Sequence, residues 1–323
     1  MRVHHLDCGS LRKIPPLGGE HPGGRGAALP AVCHCLLLET EADGLALVDS
    51  GPGTADRHDP EGRLGTEWVA YAQPARDPEE SALRQIVRLG LDPRDVRHLV
   101  LTHLHPDHTG GLPDFPGTRV HVHPAEYRAV TYPADPHHRH SLDRFLPAHR
   151  AHGPLLTPAV ADGSAEWFGF PGVARVAGLA DEELLVPLPG HSAGHAGVAV
   201  RDGAGRWLLH AGDAYLYHSE IERTPPSAHP AFAPVQQRGP DRRRGGPGHA
   251  RPAARPAPRP RGPGHRLQRA RPLGAGPPHD AHAPARARAP GRLDWGACSP
   301  SSPLFRAPVP SRSAPRPRWR CWR

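Results

Sequence analysis

The stretch at 101–111, Leu-Thr-His-Leu-His-Pro-Asp-His-Thr-Gly-Gly, constrains the chain more than any other. It places His103, His105, Asp107 and His108 within six residues. All four are metal-ligand types, and imidazole nitrogen with carboxylate oxygen suits a divalent ion such as zinc. The largely apolar run at 96–101 reads as a buried strand, and Gly110-Gly111 marks a sharp turn after it. A ligand loop of this kind needs partners from elsewhere in the chain. The competing reading is a His-rich surface loop, since the chain holds 25 histidines.

The order of elements supplies those partners. A short strand at 3–6 precedes a Gly/Pro-rich loop to residue 30. Strands at 31–39 and 45–49 pair across a turn at 42–44 and end in Asp49-Ser50-Gly51. Residues 77–90 read as a helix: Asp77 caps it, Pro78 opens its first turn, and Glu80 sits three residues after the cap. Leu83, Ile86, Val87 and Gly90 form its buried face. A strand at 119–123 and a helix opening at Pro124 follow, and this alternation predicts an α/β sandwich. Residues 132–163 read as loop, with His137, His138 and His140 a solvated cluster over the site, possible as a lid, rather than a ligand set. A strand at 183–188 runs into Pro189-Gly-His191-Ser-Ala-Gly-His195, and a hairpin of 197–201 with 206–210 ends in Gly212-Asp213. Three strand ends therefore carry ligand types: 103–108, His191 and Asp213.

Composition divides the chain unevenly. Residues 238–323 contain 20 Arg, 18 Pro, 14 Ala and 10 Gly with only three acids, a net of +17. Residues 1–237 hold 20 basic and 29 acidic residues, a net of −9. The basic balance belongs to the tail, so it does not make the globular part a nucleic-acid binder. The tail has too little apolar content to offset its ordering entropy and is expected to be disordered. No apolar run reaches membrane-spanning length and residues 1–7 lack a signal-peptide core, so a cytoplasmic protein is expected. Five cysteines are too sparse for a disulfide framework. Cys33 and Cys35 share one strand face and read as packing residues, with His34 on the other.

Taken together, Thr102-His-Leu-His-Pro-Asp-His-Thr-Gly-Gly, Pro189-Gly-His-Ser-Ala-Gly-His, Gly212-Asp213 and Asp49-Ser-Gly resemble the metal motifs of the metallo-β-lactamase-fold hydrolases, in the right order over about residues 2–220. The resemblance implies an αββα sandwich with a two-zinc centre between its sheets. It assigns His103, His105 and His191 to one metal, Asp107 and His108 to the second, and Asp213 to a bridge. Two divalent ions about 3.5–4 Å apart share a water, lower its pKa and polarise a substrate carbonyl. A lactonase-like branch fits best, which makes a small-molecule ester the expected substrate. Thioester hydrolysis of the glyoxalase II type and β-lactam hydrolysis stay open. Asp49 reads as orienting a ligand or nearby backbone, and His195 as a structural hydrogen-bonding group. Tyr215, two residues past Asp213, takes the place of the tyrosine that assists the substrate carbonyl in lactone-cleaving members; an ordinary half-buried tyrosine is the equal alternative, and Tyr217 is the near neighbour. Asp107 and Tyr215 are the expected catalytic residues.

The resemblance also calls for a late His in a Ser/Ala-His-Asp context after a strand. His279-Asp280 has the letters, but Pro277-Pro278 argues against a strand there. The second metal site is therefore expected to be incomplete and the activity of this polypeptide impaired. An inactive chain, or one that grips a polyanion through its tail, is the reading from another class. The tail itself reads as a shifted frame. One Lys and no Asn point to a GC-rich gene. Starting one nucleotide later, the codons of 266–275 permit Val-Phe-Ser-Ala-His-Asp-Pro-Trp-Glu, the missing strand and ligand. Sequencing the gene across codons 236–280 is expected to find an open second frame carrying that His codon; stop codons there would end the idea.

Overall fold

The computed structural model describes residues 1–17, 28–40, 43–132, 145–161, 165–179, 183–222 and 225–233, together with Leu293–Gly296, Phe305–Ala307 and Arg320–Cys321. Two sheets face each other. The first has the order β1 (Arg2–Ile14), β2 (Leu29–Glu39), β3 (Leu45–Val48), β4 (Val96–Val100), β5 (Arg119–Val122), β6 (Leu155–Pro158). Its first three strands are antiparallel neighbours, and β3 through β6 run parallel. The second sheet contains β7 (Val160–Ala161), β10 (Ala174–Arg175), β11 (Glu183–Pro187), β12 (Ala196–Arg201) and β13 (Trp207–His210); a small hairpin of β8 (Glu166–Trp167) and β9 (Phe170–Pro171) stands apart. The tail adds β14 (Leu293–Gly296) parallel to β13, then β15 (Phe305–Ala307) and β16 (Arg320–Cys321). The expectation of a disordered tail otherwise falls on residues outside those described, as does the His137–His140 cluster.

The sandwich is held by burial on both faces of its central strands. Leu36, Leu38, Val48 and Val100 point inward and meet Leu185, Val198, Val200 and Leu208 of the second sheet. On the other face of the first sheet, Cys35, Leu37, Leu47 and Leu99 pack with Ala82, Ile86 and Phe145. Such two-faced burial explains why β2 and β3 read as continuous apolar runs rather than alternating ones. Cys8, Cys33 and Cys35 are buried thiols, and burial pushes that of Cys33 well up. The outer face of the second sheet is covered, among the described residues, by Trp167 with Phe170 beside it, over Leu184, Val186 and Leu209.

Several elements differ from their sequence reading. β1 runs on to Ile14, past the expected strand at 3–6, because it follows β2 through two register shifts. The helix expected at 77–90 is a 3-10 turn, Pro78–Glu80, capped by Asp77, followed by α4 (Ala82–Arg88), capped by Ser81. Val87 is consequently exposed at 46% and Ala82 takes the buried position. Three short helices, α1 (Thr54–His58), α2 (Pro60–Leu64) and α3 (Thr66–Ala72), carry no strong apolar period and have no counterpart in the sequence reading. The region read as loop at 132–163 supplies β6, β7 and a turn of helix at Pro147–Arg150. No described helix is long and apolar enough to cross a membrane.

Leu37 is fully buried between β2 and the helical layer. Leu37→Ala is expected to cost about 2–5 kcal/mol, read as a lower midpoint in chemical denaturation with an unchanged slope.

Candidate metal centre

Strand ends from both sheets meet at one edge of the sandwich. Beyond β4, Leu101 N donates to His121 O at 2.9 Å, which carries the sheet register into the ligand loop. Pro106 then opens α5 (Pro106–Thr109), a single turn that presents Asp107 and His108. Ser50 fastens that turn: its N and Oγ donate to His108 O at 3.0 and 2.8 Å, and Gly111 N donates to Ser50 Oγ at 3.1 Å. From the second sheet, the turn after β11 brings His191 and the 3-10 turn after β13 brings Asp213.

The ligand atoms of His103, His105 and His191 lie within 4.8 Å of one another, and so do those of His103, His108 and Asp213. His191 Nε2 faces His105 Nδ1 at 2.8 Å and Asp213 Oδ2 at 3.2 Å. His108 Nε2 stands 3.3 Å from Asp213 Oδ1, close enough for charge attraction but not aligned as a hydrogen bond. His103 Nε2, His108 Nε2 and Asp213 Oδ1 are buried without a hydrogen-bond partner among the described residues. Converging buried atoms left in this state cost free energy. A divalent cation would satisfy imidazole and carboxylate lone pairs together, so the residues present fit one. Asp107 stands further out: its side chain is 25% exposed and its Oδ2 lies 3.7 Å from His108 Nε2.

Charge is distributed unevenly across the cluster. Burial works to raise the Asp213 pKa, but His191 and His108 hold it well below the carboxylate range. Burial opposes a proton on His108, yet Asp49, Asp107 and Asp213 together raise its pKa well above the usual value. His103 goes the other way, because burial and the neighbouring histidines push it well down and leave it a neutral donor. Burial raises Asp107, with Asp213 adding to the effect and His108 opposing it.

Groups behind the cluster set its direction. Asp49 Oδ2 accepts from His108 Nδ1 at 2.9 Å and from Thr102 Oγ1 at 2.9 Å, while its Oδ1 accepts from Thr102 N at 2.8 Å. Thr102 Oγ1 in turn meets His103 Nδ1 at 3.0 Å. His195 is structural, as its spacing suggested: Nδ1 donates to Leu188 O at 2.8 Å and Nε2 accepts from Asp213 N at 2.9 Å. Tyr215 is buried with Ala211, against Leu188. Tyr217 belongs to a different wall, its hydroxyl accepting from Leu17 N at 3.2 Å.

Two supporting groups escaped the sequence reading. Glu126, buried in α6 (Pro124–Thr131), accepts from Leu104 N at 3.1 Å and from Ser192 Oγ and Gly194 N at 2.8 and 3.0 Å. One carboxylate thus clasps the His103/His105 loop to the His191 loop. Gly194 must lack a Cβ, which would collide with the Glu126 backbone. The only signal was an acid in the first turn of a short helix. His210, at the end of β13, stacks on His34, which stacks on His5, at centroid spacings of 5.3 and 5.2 Å. Its Nδ1 lies 4.0 Å from Asp49 Oδ2.

Comparison with known proteins identifies the family and the fold. The family model described as "Metallo-beta-lactamase superfamily" matches residues 28–270. A "probable metallo-hydrolase" of Mycobacterium tuberculosis is 41% identical over 222 residues, 69% of this chain and 65% of the relative, so the chain spans about two thirds of that protein's length. An N-acyl homoserine lactonase, AttM, of Rhizobium johnstonii is 31% identical over 134 residues, covering 41% of this chain and 49% of the relative. Among solved structures, B. thuringiensis AiiA with N-decanoyl-L-homoserine at its active site superposes with a TM-score of 0.51 at 21% identity, covering 73% of this chain and 86% of that one. That likeness speaks to the fold.

Glu126→Ala leaves two backbone N–H groups and a serine hydroxyl unpaired in a buried place. It is expected to weaken binding of a divalent metal ion about 10–100-fold, measured by competition with a chromophoric chelator.

Proposed function

The chain belongs to the metallo-beta-lactamase superfamily, and from that premise we propose that it is a zinc-dependent hydrolase of a carbonyl ester, with a lactone as its substrate class. The observation that carries the reading is the convergence of ligand atoms from both sheets, of which His103 Nε2, His108 Nε2 and Asp213 Oδ1 are buried without a hydrogen-bond partner among the described residues. In this proposal His103, His105 and His191 would hold one ion and Asp107 and His108 a second, with Asp213, which stands beside both His191 and His108, available to either. Bound zinc supplies Lewis acidity and a water of lowered pKa. All six residues lie within 1–237, which we take as the catalytic domain; the segment 238–323 is proposed to add no ligand.

The chain's own groups account for the rest. Asp49 accepts the Nδ1 proton of His108 and so aims its Nε2 lone pair into the site. The Thr102 hydroxyl does the same for His103. Glu126 and His195 keep the His191 and Asp213 turns in place, so the donors are arranged before a ligand arrives. Asp107, partly exposed at the edge of the cluster, is the proposed carrier of the proton from the attacking water to the leaving alkoxide. Tyr215 is the proposed partner of the substrate carbonyl. The relatives named as N-acyl homoserine lactonases make an acyl homoserine lactone the first substrate to try.

The ligand groups found among the described residues have three members each and share His103. Metal analysis of the purified chain is therefore expected to find one tightly held ion and a second lost on dialysis; two tight ions per chain would overturn the incomplete second site. Lactone opening should fall to background in His103→Ala. Turnover of a thioester or a β-lactam, with none of a lactone, would move the substrate assignment.

A further inference from the structure

The proposed site depends on α5, a helix of 4 residues that presents Asp107 and His108 and closes the loop bearing His103 and His105. One helical turn fixes roughly six dihedrals for one hydrogen bond, so it has little stability of its own. Its shape must be imposed from outside. Ser50 imposes it on one side, through His108 O. On the other side stands a polar chain that the proposed mechanism does not use.

Thr109, the last residue of α5, donates its hydroxyl to His105 O at 3.0 Å and its Oγ1 accepts from His149 Nδ1 at 2.9 Å. His149 Nε2 donates to Asp56, 3.2 Å from Oδ1 and 3.1 Å from Oδ2. Asp56 also accepts from Arg63 Nε at 2.8 Å and from Gly53 N at 3.1 Å. Thr109, His149 and Asp56 are all buried. Burial works to raise the Asp56 pKa, but the bonds to His149 and Arg63 hold it below the usual carboxylate value. The carboxylate packs directly under the glycine turn, since a Cβ on Gly110 would strike Asp56 Oδ2. His149 itself rides on the turn Pro147–Arg150, held by Arg63 Nη2 donating to Ala148 O at 3.3 Å.

We propose that His149, backed by Asp56, is a positioning residue for the metal loop. It acts through Thr109, whose hydroxyl fixes the His105 carbonyl and with it the direction in which the half-buried His105 ring leaves the backbone. Filling the space would not require a charged pair: apolar side chains of similar volume often do so at no loss of stability. A carboxylate, imidazole and hydroxyl in series supply direction, which apolar packing does not. The second fastening also explains why α5 can lead into a glycine pair without fraying: Ser50 and His149 grip the same turn from two sides.

This inference rests on the reading of His105 as a metal ligand, and zinc affinity of the full chain separates the two. Wild type, Thr109→Val, His149→Ala and Ile86→Ala are titrated with zinc against a chromophoric chelator. Thr109→Val and His149→Ala are expected to lose about 10–100-fold in affinity. Added imidazole should restore affinity in His149→Ala and lower it, by competition, in wild type. Cobalt(II) in place of zinc should give an altered visible spectrum in both variants, because the donor geometry has moved. Ile86→Ala removes a fully buried side chain of the helical layer and should lower the melting temperature without changing zinc affinity. Unchanged affinity in folded His149→Ala, or an equal loss in Ile86→Ala, would overturn the positioning role. If His149→Ala does not fold, Thr109→Val, which keeps the side-chain outline and removes the hydroxyl, decides the matter alone: unchanged affinity there overturns the role and a loss supports it. A wild-type chain that takes up no zinc would overturn the ligand reading itself, and this inference with it.

Discussion

The metal end of the molecule depends on one buried carboxylate. Asp49 follows β3 with a left-handed backbone (φ 54), a conformation that Asp tolerates better than most residues but that still costs on the order of 1 kcal/mol. What offsets this is the number of donors it collects: Thr102 N, the Thr102 hydroxyl and His108 Nδ1. Burial alone would raise its pKa, and His108, His210 and Thr102 keep it low, so the group stays charged in a dry place. An unpaired charge there would cost several kcal/mol. Because each donor belongs to the ligand loop or stands beside it, the energetic need of Asp49 to be paired becomes the geometric constraint on His103 and His108.

Around that constraint the two sheets have different tasks. The first, with its parallel strands, sends Asp49 and the 101–111 loop to the same edge, as the C-terminal ends of parallel neighbours must. The second delivers His191 and Asp213 from antiparallel strands. Neither sheet holds a full set of donors. The inter-sheet apolar layer brings the halves together, and the polar contacts of Glu126 and His195 adjust them to hydrogen-bond accuracy. His103 sits where the two groups overlap, so any ion on one side shares its environment with the other.

Legibility followed the physics of each signal. Dense ligand types at strand ends, glycine turns and continuous apolar runs exposed β2, β3, β4, β11 and β12 and the five clustered ligand-type residues, with Asp107 set further out in space than its position in the motif suggests. The helices α1 to α3 were illegible because they are short and bury few residues, so no period accumulates. The split at Ser81 was hidden because Asp77 is a good cap in its own right. Glu126, His149 and His210 were missed for a common reason: a single acid or histidine looks solvent-facing until a distant partner is placed against it, and those partners are 22 to 176 residues away. Buried polar groups are the part of a fold that local pattern describes least.

The Glu126 clasp has a consequence for the order in which the molecule can form. It joins Leu104 to Ser192 and Gly194, and the separations from Glu126 to the latter pair are 66 and 68 residues. Contacts of that span close large loops and come after local ones. On a growing chain His103 and His105 appear long before His191 and Asp213, so the first half of the donor set waits, unclasped, through the synthesis of more than eighty further residues. The loop can then offer only a partial grip to any ion it meets in transit. The clasp can therefore close only after the sheets have met.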